Sequence, residues 1–324
     1  MFTNARRPDV WMVRHGRTRR LSPYGGIRSM PQQREKNLAN VISSLQKDNF
    51  EYSLVSWING HLLIDNLTIL VSERQRQPKY LFAHSMEKRV HAHFEKLYCT
   101  GTYLLDPFFS LDKSGSPEGL YRLKDIAPDQ FYRSDYYLTY YKDTTIIDEM
   151  VYLLRYSEHI SIHVCLGRDS MSGHKFSVRD YREALKLTPV LSALASQHWS
   201  GLLNEKPGGA DQETDAIARL WDDLEKSYGI VLTARQCQTA MLILQGHSSA
   251  AIARILGISR QTVKVFRKQV YVRCSISSQT ELFSLMMPIL LRSGFQGFFC
   301  PFLRTSHSGE WRPEIWRVLQ TPWF

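Results

Sequence analysis

Carboxylates are almost missing from one long stretch of this sequence. Between Gly229 and Glu281 the only acid is Glu281 itself, set against Arg235, Arg254, Arg260, Lys264, Arg267, Lys268 and Arg273. So one-sided a charge balance suits a polyanionic partner. Cysteine is sparse as well. Cys99, Cys165, Cys237, Cys274 and Cys300 are odd in number, scattered and never spaced C-x-x-C, which excludes an evident disulfide framework or zinc ribbon and fits a reducing cytoplasm. Long apolar runs are absent: Leu282 to Leu291 is broken by Ser284 and Pro288 and is too short to span a bilayer, so no membrane partner is expected. Arg6, Arg7, Arg14, Arg17, Arg19 and Arg20 are followed by no apolar segment, so no secretory signal is expected. G-x-S-x-G, H-E-x-x-H and Walker loops are missing, as are the acidic cluster and later lysine of a phospho-accepting receiver. The expectation is therefore a protein that is not an enzyme and holds neither cofactor nor metal.

What is present is ample material for two soluble domains: 324 residues, 43% hydrophobic and 22% charged, with a formal net charge of +10. Residues 1–36 are basic and without sustained period, read as a disordered arm with Met30 as an alternative start. Gln32–Lys47 carries a helical pattern, Tyr52–Ile58 and His61–Ser72 are rich in the bulky residues of strands, and Lys88–Cys99 reads as helix. Ile146–Leu154 and His159–Gly167 read as a strand pair, and Ser177 opens a long helix ending near Ser200. This order predicts an α+β architecture: an N-terminal antiparallel-sheet, sensor-like domain over 37–200, then an all-α domain over 229–290. Pro207-Gly208-Gly209 marks a linker with a short helix (201–228), and 291–324 forms an aromatic-rich tail.

The all-α stretch has clear punctuation. Thr233 can cap a helix, with Gln236 reaching back from three residues on, and Leu232 with Cys237 forms a hydrophobic staple. Gly246 stops that helix. Ser248 or Ser249 caps a second, Gly257 ends it, and Ser259 caps a third. Two short helices joined by a glycine-containing turn predict a helix-turn-helix. On the third helix, about 260–273, Val263, Phe266, Val270 and Cys274 share one face, while Gln261, Lys264 and Lys268 centre on the other with Val265 beside them. Arg260, Arg267 and Tyr271 flank that polar stripe. Lysine and glutamine donors suit base edges, and flanking arginines suit phosphates.

Leu232-Thr233-Ala234-Arg235, Gln245-Gly246-x-Ser248, Ile252-Ala253, Leu256-Gly257-Ile258-Ser259, Thr262-Val263-Lys264-Val265 and Thr280-Glu281 occur in order and without a gap. Together they resemble the LuxR/GerE-type helix-turn-helix of transcription regulators. That resemblance implies a third helix in the major groove of double-stranded DNA, with Lys264, Val265 and Lys268 facing bases and Thr262 and Arg267 on the backbone. It also implies a fourth helix that commonly pairs two protomers, hence a homodimer. Departures are Gln236 and Ala251 where the family has acids, Phe266 for a histidine, and Cys274-Ser275 for Leu-Gly.

The N-terminal region looks like the GAF- or PAS-like domain found ahead of such heads. Tyr103-x-x-Asp106-Pro107 is similar to an element of acyl-homoserine-lactone receptors, with Tyr121 near the place of that family's tryptophan. Two readings of the aromatic residues stand. Trp57, Tyr103, Tyr136 and Tyr140 line a small-molecule pocket with Asp106 as its polar anchor, or they are core packing and Asp106 caps the next helix. His91 and His93 point to different faces of their segment, and His163 with Cys165 lacks a third ligand, so no metal site is expected. The expected function is sequence-specific DNA binding for transcription control, modulated by a ligand or partner at the N-terminal domain, with RNA polymerase a further candidate partner. The alternatives are an enzyme, or a polymerase adaptor, that merely carries such a head.

Overall fold

Side chains on successive strand residues point to opposite faces, and here that alternation separates two cores. The structure, a computed structural model, describes residues 31–292 apart from 74–76, 92–96, 158 and 204–215. Strands β1 (Asn66–Glu73), β2 (Lys79–Ser85), β3 (Gly119–Arg122), β4 (Ile146–Arg155) and β5 (Ile160–Asp169) form one sheet in the order β2-β1-β5-β4-β3, every neighbouring pair antiparallel. The predicted hairpin is β4–β5, closed where the amides of Tyr156 and Ser157 both donate to the carbonyl of Ile160. The α+β architecture expected from the sequence is thus the one observed.

One face of the sheet carries Leu67, Ile69, Val71, Met150, Tyr152, Leu154, Ile162, Val164 and Leu166. Helices α1 (Pro31–Ser43), α2 (Phe50–Asn59) and α5 (Val178–His198) cover it. Helix α5 starts as expected at Ser177, whose hydroxyl accepts the Asp180 amide while Asp180 reaches back to the Ser177 amide. Two expectations are corrected here. Tyr52–Ile58 is helix, not strand: Phe50, Leu54, Trp57 and Ile58 are buried at helical spacing, and that period outweighs the strand preference of the individual residues. Helix α1 begins at Pro31, inside the segment read as an arm to residue 36, and is tied down by Arg34 Nε donating to the Gly60 carbonyl at 2.9 Å. The arm's first 30 residues lie outside the described residues, as do 92–96 of the predicted Lys88–Cys99 helix and the tail from 293.

Leu70, Val151 and Cys165 face the other way. Against them pack the stretches on either side of β3, residues 97–118 and 123–141, which hold α3 (Pro107–Lys113), α4 (Leu123–Ile126) and several single turns. Their Tyr98, Tyr103, Leu105, Phe108, Phe131, Tyr136 and Tyr141 form a layer that runs without interruption into the core of the C-terminal helices α6 (Ala216–Tyr228), α7 (Ala234–Leu244), α8 (Ser249–Leu256), α9 (Arg260–Arg273) and α10 (Gln279–Arg292). The C-terminal head therefore sits on the sheet domain.

Candidate nucleic-acid interface

Helices α7, α8 and α9 are each started by a side-chain cap. Thr233 Oγ1 accepts the Gln236 amide at 3.4 Å, and Gln236 Oε1 accepts the Thr233 amide at 2.9 Å. Gln236 Nε2 donates to Gln269 Oε1 at 3.0 Å, tying α7 to α9 by a neutral bond. Ser248 Oγ caps α8 through the Ala251 amide, and Ser259 Oγ caps α9 through the Thr262 amide at 3.0 Å. Gly257, at φ +65°, ends α8 in the left-handed conformation that glycine adopts without strain.

Helix α9 spans the predicted residues. Val263 and Val270 are fully buried, Cys274 is buried beneath the last turn, and Phe266 is half-buried. At about 100° per residue, Lys264, Lys268 and Gln261 lie across from these, and all three are exposed together with Arg260. Val265 stands at the edge of the stripe, 43% exposed. Val272, which sequence reasoning did not single out, is also exposed on this stripe; its place on the helical wheel was the available signal. Thr262 is half-buried, its hydroxyl 2.8 Å from Ser259 Oγ. Arg267 Nε donates to the Tyr271 hydroxyl at 3.0 Å, leaving the outer nitrogens of its guanidinium for another partner. Among the described residues no carboxylate lies in ion-pair range of these cations. The one acid between Gly229 and Arg292, Glu281, accepts from the Ser277 amide, Ser277 Oγ and Ser278 Oγ, so it is committed to the start of α10 and held below its usual pKa by those bonds.

Polar bonds and close backbone approaches join the head to the sheet domain. Gly246, at φ +91°, accepts the Gln130 amide at 2.9 Å, and a Cβ there would fall 2.9 Å from Phe131 Cα. Beside it the Ser248 amide donates to Asp129 Oδ1 at 2.8 Å, and Gln245 Nε2 donates to the Leu104 carbonyl at 3.0 Å. On α10, Thr280 Oγ1 donates to Asp135 Oδ1 at 3.0 Å, while the backbone of Leu290 lies so near Gly101 that no side chain would fit between them. Tyr271 titrates above its usual value: burial raises it most, Arg267 lowers it, and the carboxylates of Asp135 and Glu281 raise it further.

The residues predicted to line a small-molecule pocket divide. Tyr103, Asp106 and Tyr136 come together in the layer over the Val151 face of the sheet. Trp57 does not: it is buried against the opposite face, because α2 is a helix whose apolar side turns to α5 and the Leu67 face. The side chain of Tyr140 lies outside what the structure describes. Asp106 caps α3 through the Phe108 amide at 2.8 Å and also accepts the Tyr98 hydroxyl. Sequence reasoning missed a second tyrosine–carboxyl pair here, partly buried, in which Tyr141 donates to Glu149 and desolvation pushes the Glu149 carboxyl up to about 8. An acid amid an apolar strand pattern was the signal. It also missed Asp112, which accepts from Arg155, from Ser161 Oγ at 2.6 Å and from His163 Nε2 at 3.0 Å. Among the described residues no helix is long and apolar enough to cross a membrane.

Comparison with known proteins agrees with this geometry for the head. Residues 230–286 match the model of the luxR family of bacterial regulatory proteins. A curated relative from Aeromonas salmonicida, "Putative HTH-type transcriptional regulator in exeN 3'region", is 28% identical over 190 residues, 57% of this chain and 95% of the relative. Among solved structures, the VqsR LBD domain from Pseudomonas aeruginosa is 23% identical with a TM-score of 0.45, covering 51% of this chain and 96% of that one. Escherichia coli SdiA is 15% identical with a TM-score of 0.37, covering 80% of this chain and 98% of that one.

Proposed function

We propose that this chain, a DNA-binding transcription regulator with a luxR-type helix-turn-helix head, reads its site by laying α9 in the major groove of duplex DNA. Lys264, Lys268, Gln261 and Val265 address base edges, where lysine suits the acceptors of guanine and valine the methyl of thymine. Arg260, Thr262 and Arg267 address phosphates and set the register. One observation carries this reading: Val263 and Val270 anchor α9 with no exposed surface, while Gln261, Lys264 and Lys268 stand exposed on the other side with no acid to neutralise them.

The protein acts in the cytoplasm as a homodimer, and the layer holding Tyr103, Asp106 and Tyr136 is where a small molecule would modulate it. Lys264→Ala lowers affinity for the selected site by about 1–3 kcal/mol and relaxes base preference at one position. Selection of a consensus from random duplexes by the purified protein, followed by a binding titration of the variant, measures both. Failure to select any consensus would favour a polymerase adaptor, and undiminished binding by the variant would mean that α9 is turned differently on the DNA.

A further inference from the structure

Arg267 and Tyr271 stand one turn apart on α9, the spacing at which side chains meet on a helix surface. At about 100° per residue both lie on the flank of the exposed stripe, on the side of Lys264. Arg267 Nε donates to the Tyr271 hydroxyl at 3.0 Å, and the guanidinium carbon is 5.3 Å from the centroid of the Tyr271 ring. Tyr271 is half-buried with its ring packed against the core of the head, so its hydroxyl is held from beneath. The bond uses the inner nitrogen of the guanidinium and leaves the outer two, the fork that matches a pair of phosphate oxygens. The hydroxyl accepts in this bond and keeps its own proton to give, for which no acceptor stands among the described residues. Arg273, in the last turn of the same helix, is used differently: an outer nitrogen donates to the Val231 carbonyl at 2.6 Å and ties α9 to the loop before α7.

We propose that Tyr271 is a positioning residue of the DNA interface: it aims the guanidinium of Arg267 and gives its own proton to the same phosphate. Binding orders a long side chain at an entropic cost, and here the tyrosine has met part of that cost before DNA arrives. Tyr271 thereby helps to set the register of α9 on the duplex without reading a base. The inference rests on the reading of Arg267 as a phosphate contact.

The test uses the full chain and a duplex of unrelated sequence, titrated across a range of salt. Tyr271→Phe keeps the ring and removes the hydroxyl. It lowers affinity by about fivefold, while thermal unfolding stays with that of the parent. Arg267→Ala weakens binding and makes its salt dependence shallower by about one phosphate contact. In that background Tyr271→Phe costs less than about twofold, because without the guanidinium no phosphate is held beside the hydroxyl. A tyrosine that merely supported the fold of α9 would cost the same with and without Arg267, and that result overturns the proposal. Unchanged affinity for Tyr271→Phe, with Arg267→Ala weakening binding as expected, overturns it too. If Arg267→Ala itself binds as well as the parent, the phosphate reading beneath the proposal has failed instead.

Discussion

The head and the sheet domain handle charge in opposite ways. Lys264, Lys268 and Arg260 stand in water with no acid nearby, on a helix whose other side is sealed against its neighbours. In the sheet domain Asp106 and Asp112 are taken into the packed layer over the sheet, each bound by a tyrosine, a histidine or an arginine. An exposed, unneutralised cation contributes little to folding and remains available to a phosphate or a base. A buried carboxylate is costly unless satisfied, and its partners then specify one arrangement of the chain. Charge in the head is thus disposed for binding, and charge in the sheet domain for holding segment 97–141 in place.

The largest effect that can test this contrast is at Asp112. Its one carboxylate joins Arg155 at the end of β4 to Ser161 and His163 on β5, and both β5 residues are buried. Burial opposes ionisation of Asp112, yet hydrogen bonds from His163 and Ser161 and the charge of Arg155 hold its pKa well below the usual carboxylate range. Asp112→Ala leaves two buried donors and a partly buried guanidinium without an acceptor, for a loss of about 3 kcal/mol. Thermal unfolding registers this as a fall of roughly 6–12 °C. Because the native pKa is depressed, the parent has this contribution in full above the ordinary carboxylate pKa and loses it as pH falls. The gap between parent and variant therefore narrows in acid. A variant as stable as the parent would show that these acids are not structural.

Much of the head could be read from the sequence because its signals are local. Caps at Thr233, Ser248 and Ser259 and the turn glycines Gly246 and Gly257 act within a few residues of themselves, so spacing alone places α7, α8 and α9. The sheet domain is built from contacts far apart in the chain, such as Asp112 with His163 or Asp65 with the Asp169 amide. Local pattern carries no record of these. Composition near Trp57 favoured a strand, but the identity of the surface that α2 would cover was needed to put that tryptophan on the correct side of the sheet. Gly246 was read as a helix stop, and its close approach to Phe131 is a second demand on the same residue that only the assembled fold reveals.

Glu149 sharpens the comparison through pH. Burial is the main cause of its raised pKa, with Asp106 adding repulsion, while the hydrogen bond from Tyr141 works the other way. Between the ordinary carboxylate value and about 8 the folded protein holds a proton at this site that the unfolded chain releases. Stability from this group is therefore complete in mild acid and is lost as pH rises through about 8. Glu149→Gln keeps an acceptor for Tyr141 and cannot ionise, so its stability should be flatter over that range and exceed the parent's on the alkaline side. Denaturant midpoints at several pH values measure the difference. Parallel curves for the two proteins would mean that the layer is wet enough to keep this carboxylate ordinary.

The smallest expected effect concerns folding in the head. Lys264 and Lys268 are four residues apart on an exposed helical face, where like charges repel by a few tenths of a kcal/mol. Alanine is the better helix former at such positions. The double variant Lys264→Ala/Lys268→Ala should therefore unfold within about 0.5 kcal/mol of the parent, on the stabilised side if it differs at all. DNA binding by the same protein falls steeply and loses base preference, while the phosphate contacts of Arg260 and Arg267 retain most of the dependence of binding on salt. Equilibrium unfolding and a salt titration of binding separate the two quantities. A loss of more than about 1 kcal/mol in folding would mean that these lysines pack against the protein, and the division between binding charge and structural charge would then fail in the head itself.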